Sequence, residues 1–358
     1  MTRKTGTLAI IALLVVIVFG FISYSSYKNS EDATVDRLAT ALIENDEAAV
    51  KQYMPRYSNK KKISKDARNI FYQQLKKLKQ EQVVKLLKDE ENFSIKEGAS
   101  FLKPAQVYPN ARFLVIELPK GTELRAEIQA QEVSGEYVED WNKYTFGPFL
   151  PGKYQVAYEM AHPKFGSKKE KETVDLKAED QRLTVKENHL YENNPKFQKH
   201  LLASAVNYFD SLNEGIRDGL NVSSLIASKE HKENLQASFE ELEPYLESFD
   251  QQFQTVKIDC DSIAVNASQT KVQLDLYTDL KRSMKLVEEV GIDETLTSDK
   301  QNAITSFVYD EDQKKWLVDE LDFSTYQQDP EKWEHVESYR GDAEKKAHWG
   351  KESAGDIV

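Results

Sequence analysis

Residues 7–23 (TLAIIALLVVIVFGFIS) form an unbroken apolar run with no charge and no polar stripe. At 1.5 Å per residue the run reaches about 25 Å, the short end of a bilayer span. A helix packed on a globular core would carry one polar face, and this run has none. Tyr24 and Tyr27 follow it where interfacial aromatics belong. A cleaved signal peptide would end in a small-x-small site, and no alanine pair closes the run. A lipoprotein would need a cysteine there, and there is none. The pattern predicts a transmembrane anchor over residues 7–27 after a cytoplasmic stub, 1–6. Arg3 and Lys4 orient the amino end inward. The expected localisation is the cell membrane, single-pass, with the carboxyl-terminal domains extracellular.

Beyond the run the period changes twice. Residues 31–100 read as a small α-helical domain. Val35, Leu38, Ala39, Leu42 and Ile43 recur at i, i+3, i+4, i+7 and i+8. A second helix stops before Pro55, Ser64 caps a third with Ala67, Ile70, Phe71, Leu75 and Leu78 inward, and Val83 to Leu87 suggest a fourth. Residues 101–186 alternate with period two, as in Leu124, Ala126, Ile128 and Ala130, and predict a β-sandwich-like module. Its Pro151-Gly152 pair suits a type II turn, and Lys168 to Glu172 read as a charged hairpin tip.

Residues 187–328 read helices first and strands second, an α+β cone. Phe197, Leu201, Ala205, Phe209 and Leu212 mark a long helix, and 234–249 a second. Val256, Ile258 and Cys260, then Val272, Leu274 and Leu276, then 304–309 and 316–321, mark strands. Residues 282–299 read as loop or helix. The polar stretch 329–358 reads as a tail. The fold class expected is thus multidomain: membrane helix, helical domain, β module, distal α+β cone.

Charge sharpens this picture. The 358 residues carry a formal charge of −12. The acidity lies in residues 187–358, with 18 basic against 35 acidic side chains. A nucleic-acid partner would need a basic face and is not expected. Lys60, Lys61, Lys62 and Lys65 form a basic run that could touch anionic lipid or wall polymer, or simply be a solvated loop. The single cysteine, Cys260, rules out an internal disulfide or a thiolate zinc cluster.

The chemistry-bearing residues form no catalytic signature. His162, His189, His200, His231, His335 and His348 show no metal spacing, and no GxSxG, P-loop or dinucleotide fingerprint appears. Asp259 and Asp261 flank Cys260; they read either as paired carboxylates for acid–base or cation chemistry, or as an exposed strand face. Cys260 reads as a small buried hydrophobe. Trp141 reads as a sugar platform or as cross-strand packing. No catalytic, cofactor-binding or metal-ligating residue is therefore assigned, no cofactor is expected, and the chain is expected not to be an enzyme.

The order of parts, with Phe101-Leu102-Lys103-Pro104, the stretch 147–154 (GPFLPGKY) and Lys315-Trp316-Leu317-Val318, resembles the teicoplanin-resistance-associated TcaA-like membrane proteins of Gram-positive bacteria. The resemblance covers roughly residues 31–325. It implies that the distal domain is NTF2-like and that the protein serves the cell envelope, in wall homeostasis or glycopeptide response. Family members often begin with a cytoplasmic zinc ribbon, which this chain lacks before the apolar run, so no metal role carries over. The partners expected are the membrane and envelope proteins or cell-wall polymer. The expected function is an extracytoplasmic binding or scaffold protein, with a small-ligand (lipid or antibiotic) sensor or an enzyme using the distal pocket as alternatives.

Overall fold

The computed structural model describes residues 29–98, 103–177, 179–291, 295–299, 302–323 and 329–351, with positions 18, 20, 24, 25 and 27 before them. They fall into two compact units, one of Met1–Met160 and Lys169–Glu187, the other of Ala161–Lys168 and Asn188–Val358.

The first unit opens with four helices, α1 (Glu31–Glu44), α2 (Glu47–Tyr53), α3 (Lys65–Leu75) and α4 (Gln80–Leu87). The first three start where the sequence supplies a cap. Ser30 accepts from the Ala33 N–H, Asp46 from Ala48 and Ala49, and Ser64 from Ala67. Val35, Leu38, Ala39 and Leu42 are buried, each large aliphatic contributing roughly 1.5–3 kcal/mol. Ile43, at the rim of the same stripe, is 45% exposed.

Ten strands follow. They are β1 (Phe93–Lys96), β2 (Gln106–Pro109), β3 (Arg112–Glu117), β4 (Glu123–Ile128), β5 (Gln131–Val133), β6 (Glu136–Val138), β7 (Lys143–Phe149), β8 (Lys153–His162), β9 (Gly166–Asp175) and β10 (Gln181–Thr184). β1 pairs with β2, and the rest form two four-stranded sheets, ordered β10-β3-β7-β6 and β5-β4-β8-β9. Leu114, Ile116 and Phe146 of one sheet, and Ala126, Ile128, Val156 and Met160 of the other, are the buried alternates.

Residues 31–100 and 101–186, expected as separate domains, share this unit. The buried Tyr57 phenol donates to the Pro148 carbonyl at 2.8 Å and ties the helical segment to β7. Gly152 is also a residue of close approach: a Cβ there would collide with the Gln74 carboxamide. Its φ lies outside the left-handed region, so a type II turn is not what selects glycine. Likewise the charged stretch 168–172 lies within β9, and the turn falls earlier, at Pro163 to Phe165. Phe165 at this turn belongs to the second unit and is fully buried there, beside Phe197 and Trp316.

The second unit combines α5 (Pro195–Arg217) and α6 (Lys229–Leu242) with β11 (Leu246–Asp259), β12 (Ala264–Val265), β13 (Lys271–Thr278), β14 (Lys281–Leu286), β15 (Leu296–Ser298), β16 (Asn302–Asp310), β17 (Lys315–Asp322) and β18 (Val336–Gly350). Asn194 starts α5. Its carboxamide oxygen accepts from the Lys196 and Phe197 N–H groups, while its nitrogen donates to the Phe165 and Leu190 carbonyls. Pro195 at the first turn needs no N–H partner. The second helix ends sooner than its apolar spacing suggests, because Pro244 diverts the chain into a turn and β11 begins at Leu246.

The sheet runs β15-β14-β11-β13-β16-β17, with β12 on β13 and β18 on the other edge of β11. β11 serves two partners along one edge, β14 with its first half and β13 with its second. Between them the ladder to β18 shifts register at Gln254, where the Asp279 carboxylate accepts from the Gln254 and Thr255 N–H groups at 2.8 Å each. This bulge bends the strand and splits its pairing.

Three expectations are corrected here. First, the polar tail expected over 329–358 holds a strand: β18 pairs antiparallel with β11 from Ser248↔Gly350 to Asp259↔Val336, and residues 352–358 lie outside the described residues. The inward row of β18 mixes Glu337 and Lys345 with Tyr339, Ala347 and Trp349, so no clean alternation of apolar residues announced it. Second, 282–299 holds strands β14 and β15. Third, the fold class is wrong where it begins with a membrane helix. Among the described residues no helix is long and apolar enough to cross a membrane, and strands predominate. The stub 1–6 and most of the anchor 7–27 lie outside the described residues. The single-pass anchor, and the cell-membrane localisation that depended on it, are therefore not carried by the structure.

Candidate functional site

The interior of the second unit holds more polar chemistry than the sequence suggested. On the inward rows of β11 and β18, Phe249, Gln251 and Phe253 sit opposite Trp349, Ala347 and Lys345. The Lys345 ammonium donates to both Asp210 carboxylate oxygens, at 2.6 and 2.7 Å, and lies 5.0 Å over the Tyr339 ring. Burial works against its charge, but the bonds to Asp210 and Tyr339 outweigh burial and raise it above the usual lysine range. Tyr208 Oη and His231 Nε2 form a hydrogen bond of 2.9 Å. Burial lowers His231 from its ordinary value, so it is neutral near pH 7, and burial pushes the Tyr208 phenol up to about 12. These ionisable groups are thus spent on each other.

The His231 environment sets a pH dependence. A histidine whose folded pKa is depressed binds fewer protons folded than unfolded, so stability is full above the unfolded value near 6.5 and falls as pH drops below it. His335, raised by its hydrogen bond to Asp261, acts in the opposite sense. Urea unfolding at pH 7.5 and 5.5 should show a smaller loss of stability on acidification in His231→Gln than in the wild type; equal losses would assign the pH dependence elsewhere.

A cavity of about 730 Å³ opens where β11, β14, β15 and β18 meet the end of α5. Three cross-strand rows bound it: Lys346-Gln252-Lys281, Ala347-Gln251-Arg282-Ser298 and His348-Asp250-Ser283-Thr297. Arg217, Lys281, Arg282 and Lys346 line it against Asp250 and Asp299, a local cationic excess inside the acidic portion of the chain. Gln251 accepts from Arg282 Nε at 2.8 Å and donates to Asn213 at 2.8 Å; Asn213 donates in turn to the Lys345 carbonyl. Gln251 and Asn213 are 1% and 2% exposed, so this chain of amides is fixed. Burial lowers the Arg282 guanidinium from its ordinary value.

Of the residues singled out in the sequence, His348 lines this cavity, while Asp259, Cys260, Asp261, Trp141 and the basic run lie elsewhere. Asp259 ends β11 and accepts from the Asp261 N–H at 3.0 Å, closing a turn, while Asp261 pairs with His335 at 2.9 Å. The two carboxylates do not form an acid–base pair. Asp261, Glu334 and His335 bring ligand atoms within 4.8 Å of one another, all exposed. Burial pushes the Cys260 thiol up to about 11, which leaves little thiolate at neutral pH. Trp141 is 72% exposed beside Lys143, whose ammonium lies 5.6 Å from the ring centre. It takes no part in cross-strand packing. Lys60, Lys61, Lys62 and Lys65 are exposed.

A second cleft, of about 990 Å³, lies within the first unit and was not foreseen. Lys77, Lys85, Lys88, Lys153 and Lys177 line it, with Asp89 as the one acidic residue. Lys88 pairs with Asp32 at 2.7 Å and Lys153 with Asp175 at 3.3 Å. Among the described residues, the ammonium groups of Lys77, Lys85 and Lys177 meet no carboxylate, although the Lys177 backbone N–H donates to Asp175 at 3.1 Å. Gln73, Gln74, Gln82, Gln129 and Gln155 line it as well, beside Leu78, Leu86, Tyr154 and Thr173, and the Gln74 carboxamide oxygen is shielded from solvent without a hydrogen-bond partner. These residues come from α3, α4, β8 and β9, the turns beside them and the β4–β5 turn, so no local motif could signal the cleft.

Comparison with known proteins places one part of the chain. No curated protein matches it. A solved structure described as the intermembrane space region of chloroplast protein ARC6 aligns at 11% identity with a TM-score of 0.25, covering 35% of this chain and 94% of that one. At that score the likeness carries no argument. The model of the YvbJ NTF2-like domain matches residues 201–322, which run from within α5 to the end of β17. The carboxyl-terminal part of the chain thus contains an NTF2-like domain of the YvbJ type.

Proposed function

We propose that this protein is a non-catalytic binding or scaffold protein of the bacterial cell envelope that holds an anionic wall polymer in the lysine cleft of its first unit. The observation that carries the reading is the lining of that cleft: five lysines and five glutamines against one carboxylate. Unpaired ammonium groups attract phosphate- or carboxylate-bearing chains, and carboxamides satisfy hydroxyl and phosphate oxygens at short range. The YvbJ-type domain and the resemblance to TcaA-like proteins support the envelope setting, and a role in wall homeostasis or glycopeptide response is its finer form. The pairing of Asp210 with Lys345 and of Tyr208 with His231 supports binding over catalysis.

The test is retention of the full chain on purified wall polymer, with inorganic polyphosphate as a defined probe. Wild type should bind and lose affinity steeply with added salt. Lys77→Gln, Lys85→Gln and Lys177→Gln combined should weaken binding about 100-fold, taking about 1 kcal/mol per lysine. Equal retention of wild type and triple variant on both materials would overturn the reading.

A further inference from the structure

The cavity of the second unit carries an inference of its own, on residues separate from the lysine cleft. Arg282 stands on β14 with its side chain drawn into the unit, and its guanidinium lies 5.7 Å from the Phe323 ring centre. Its Nε is committed to Gln251, and Gln251 is committed to Asn213. Among the described residues no carboxylate pairs with it. Of the two cavity carboxylates, Asp250 is engaged by His348 at 2.8 Å and by the Ser283 hydroxyl at 3.4 Å, and Asp299, just beyond β15, makes no ion pair with Arg282. A desolvated arginine is normally neutralised by a fork of carboxylate oxygens. Here the two terminal Nη groups keep that fork open, and the amide chain fixes its direction. A space of about 730 Å³ beside it is of the size that takes a small organic molecule.

We propose that this cavity binds a small organic anion through its oxyanion group, a carboxylate or phosphate monoester, with the Arg282 Nη pair as the anchor and Gln251 as its positioning residue. Arg217, whose Nη1 donates to the Lys346 carbonyl at 2.7 Å, supplies the second positive charge at the helix end. The excess of cations around the cavity, set in an acidic part of the chain, draws an anion to this place rather than to the surrounding surface.

The probes are citrate and inorganic phosphate, added to the full chain at constant ionic strength with sodium chloride as the reference. Citrate, phosphate or both should bind saturably, raise the melting temperature above the chloride reference, and shift the Arg282 Nε–H resonance in ¹⁵N spectra of the wild type. Citrate alone identifies a carboxylate site and phosphate alone a phosphate site. Arg282→Met should weaken binding at least tenfold, and Arg282→Lys, which keeps charge but loses the fork, should recover only part of it. If a variant fails to fold, the wild-type Nε–H shift decides. No shift at saturating probe, or a response equal to that of chloride, would overturn the proposal. Because the lysine cleft is read by polymer retention, either result can fail without the other.

Discussion

A chain ended after Glu334 is expected to lose the cooperative fold of its second unit. The cut removes β18, which pairs with eleven positions of β11. It also strips Lys345 from Asp210, leaving a half-buried carboxylate without its partner, and takes away the carbonyl that Asn213 donates to. Each orphaned buried polar group costs about 1–3 kcal/mol, and the lost ladder and the buried Ala347 add to it, together a large share of what a domain holds in reserve. Size-exclusion chromatography should show aggregation, and hydrogen exchange should show loss of protection in α5 and β11. A synthetic peptide of residues 336–350 should restore part of that protection by strand addition. Native protection of β11 in the shortened chain would refute the structural role given to β18.

Replacing Trp316 by alanine should be the most damaging single substitution in the same unit. The side chain is 3% exposed, its ring centre lies 5.2–6.3 Å from those of Tyr309, Phe197 and Phe165, and its indole N–H donates to the Lys164 carbonyl at 2.8 Å. Removing so large a buried ring costs about 3–5 kcal/mol. Trp316→Phe keeps most of the ring contacts and loses the hydrogen bond, about 1–2 kcal/mol. Trp141→Ala, at an exposed position, should change stability by no more than about 0.5 kcal/mol. Urea denaturation of the three variants gives the ranking directly. Similar losses for Trp316→Ala and Trp141→Ala would contradict the packing described.

The same contrast explains how much could be read from the residues. The faces of α1, α3 and α5 were legible because burying one stripe of a helix forces period 3.6, and Ser64 marks the start of α3. β16 and β17 were legible because one face of each is apolar. β18 was not, because the row opposite the buried side chains of β11, Glu337, Tyr339, Lys345, Ala347 and Trp349, mixes charged with apolar residues, and the ladder skips residues 341–344. It is an edge strand, and charged edges discourage pairing with foreign strands. The two binding places were silent for a different reason. Arg282 acquires its meaning from Gln251 and Asn213, 31 and 69 positions away, and the cleft lysines are gathered from across a hundred residues of chain. Spacing rules see neighbours along the chain, and neither set is local.

The long ladder between β11 and β18 also bears on biogenesis. During synthesis β11 emerges from the ribosome nearly ninety residues before its last partner. For that interval, on the order of 5–20 s at ordinary elongation rates, the nascent chain carries an open strand with the Gln254 bulge as its main local defence. Holding factors that mask bare backbone on the translating chain would be needed at that stage, and their need should end when residue 350 clears the exit tunnel.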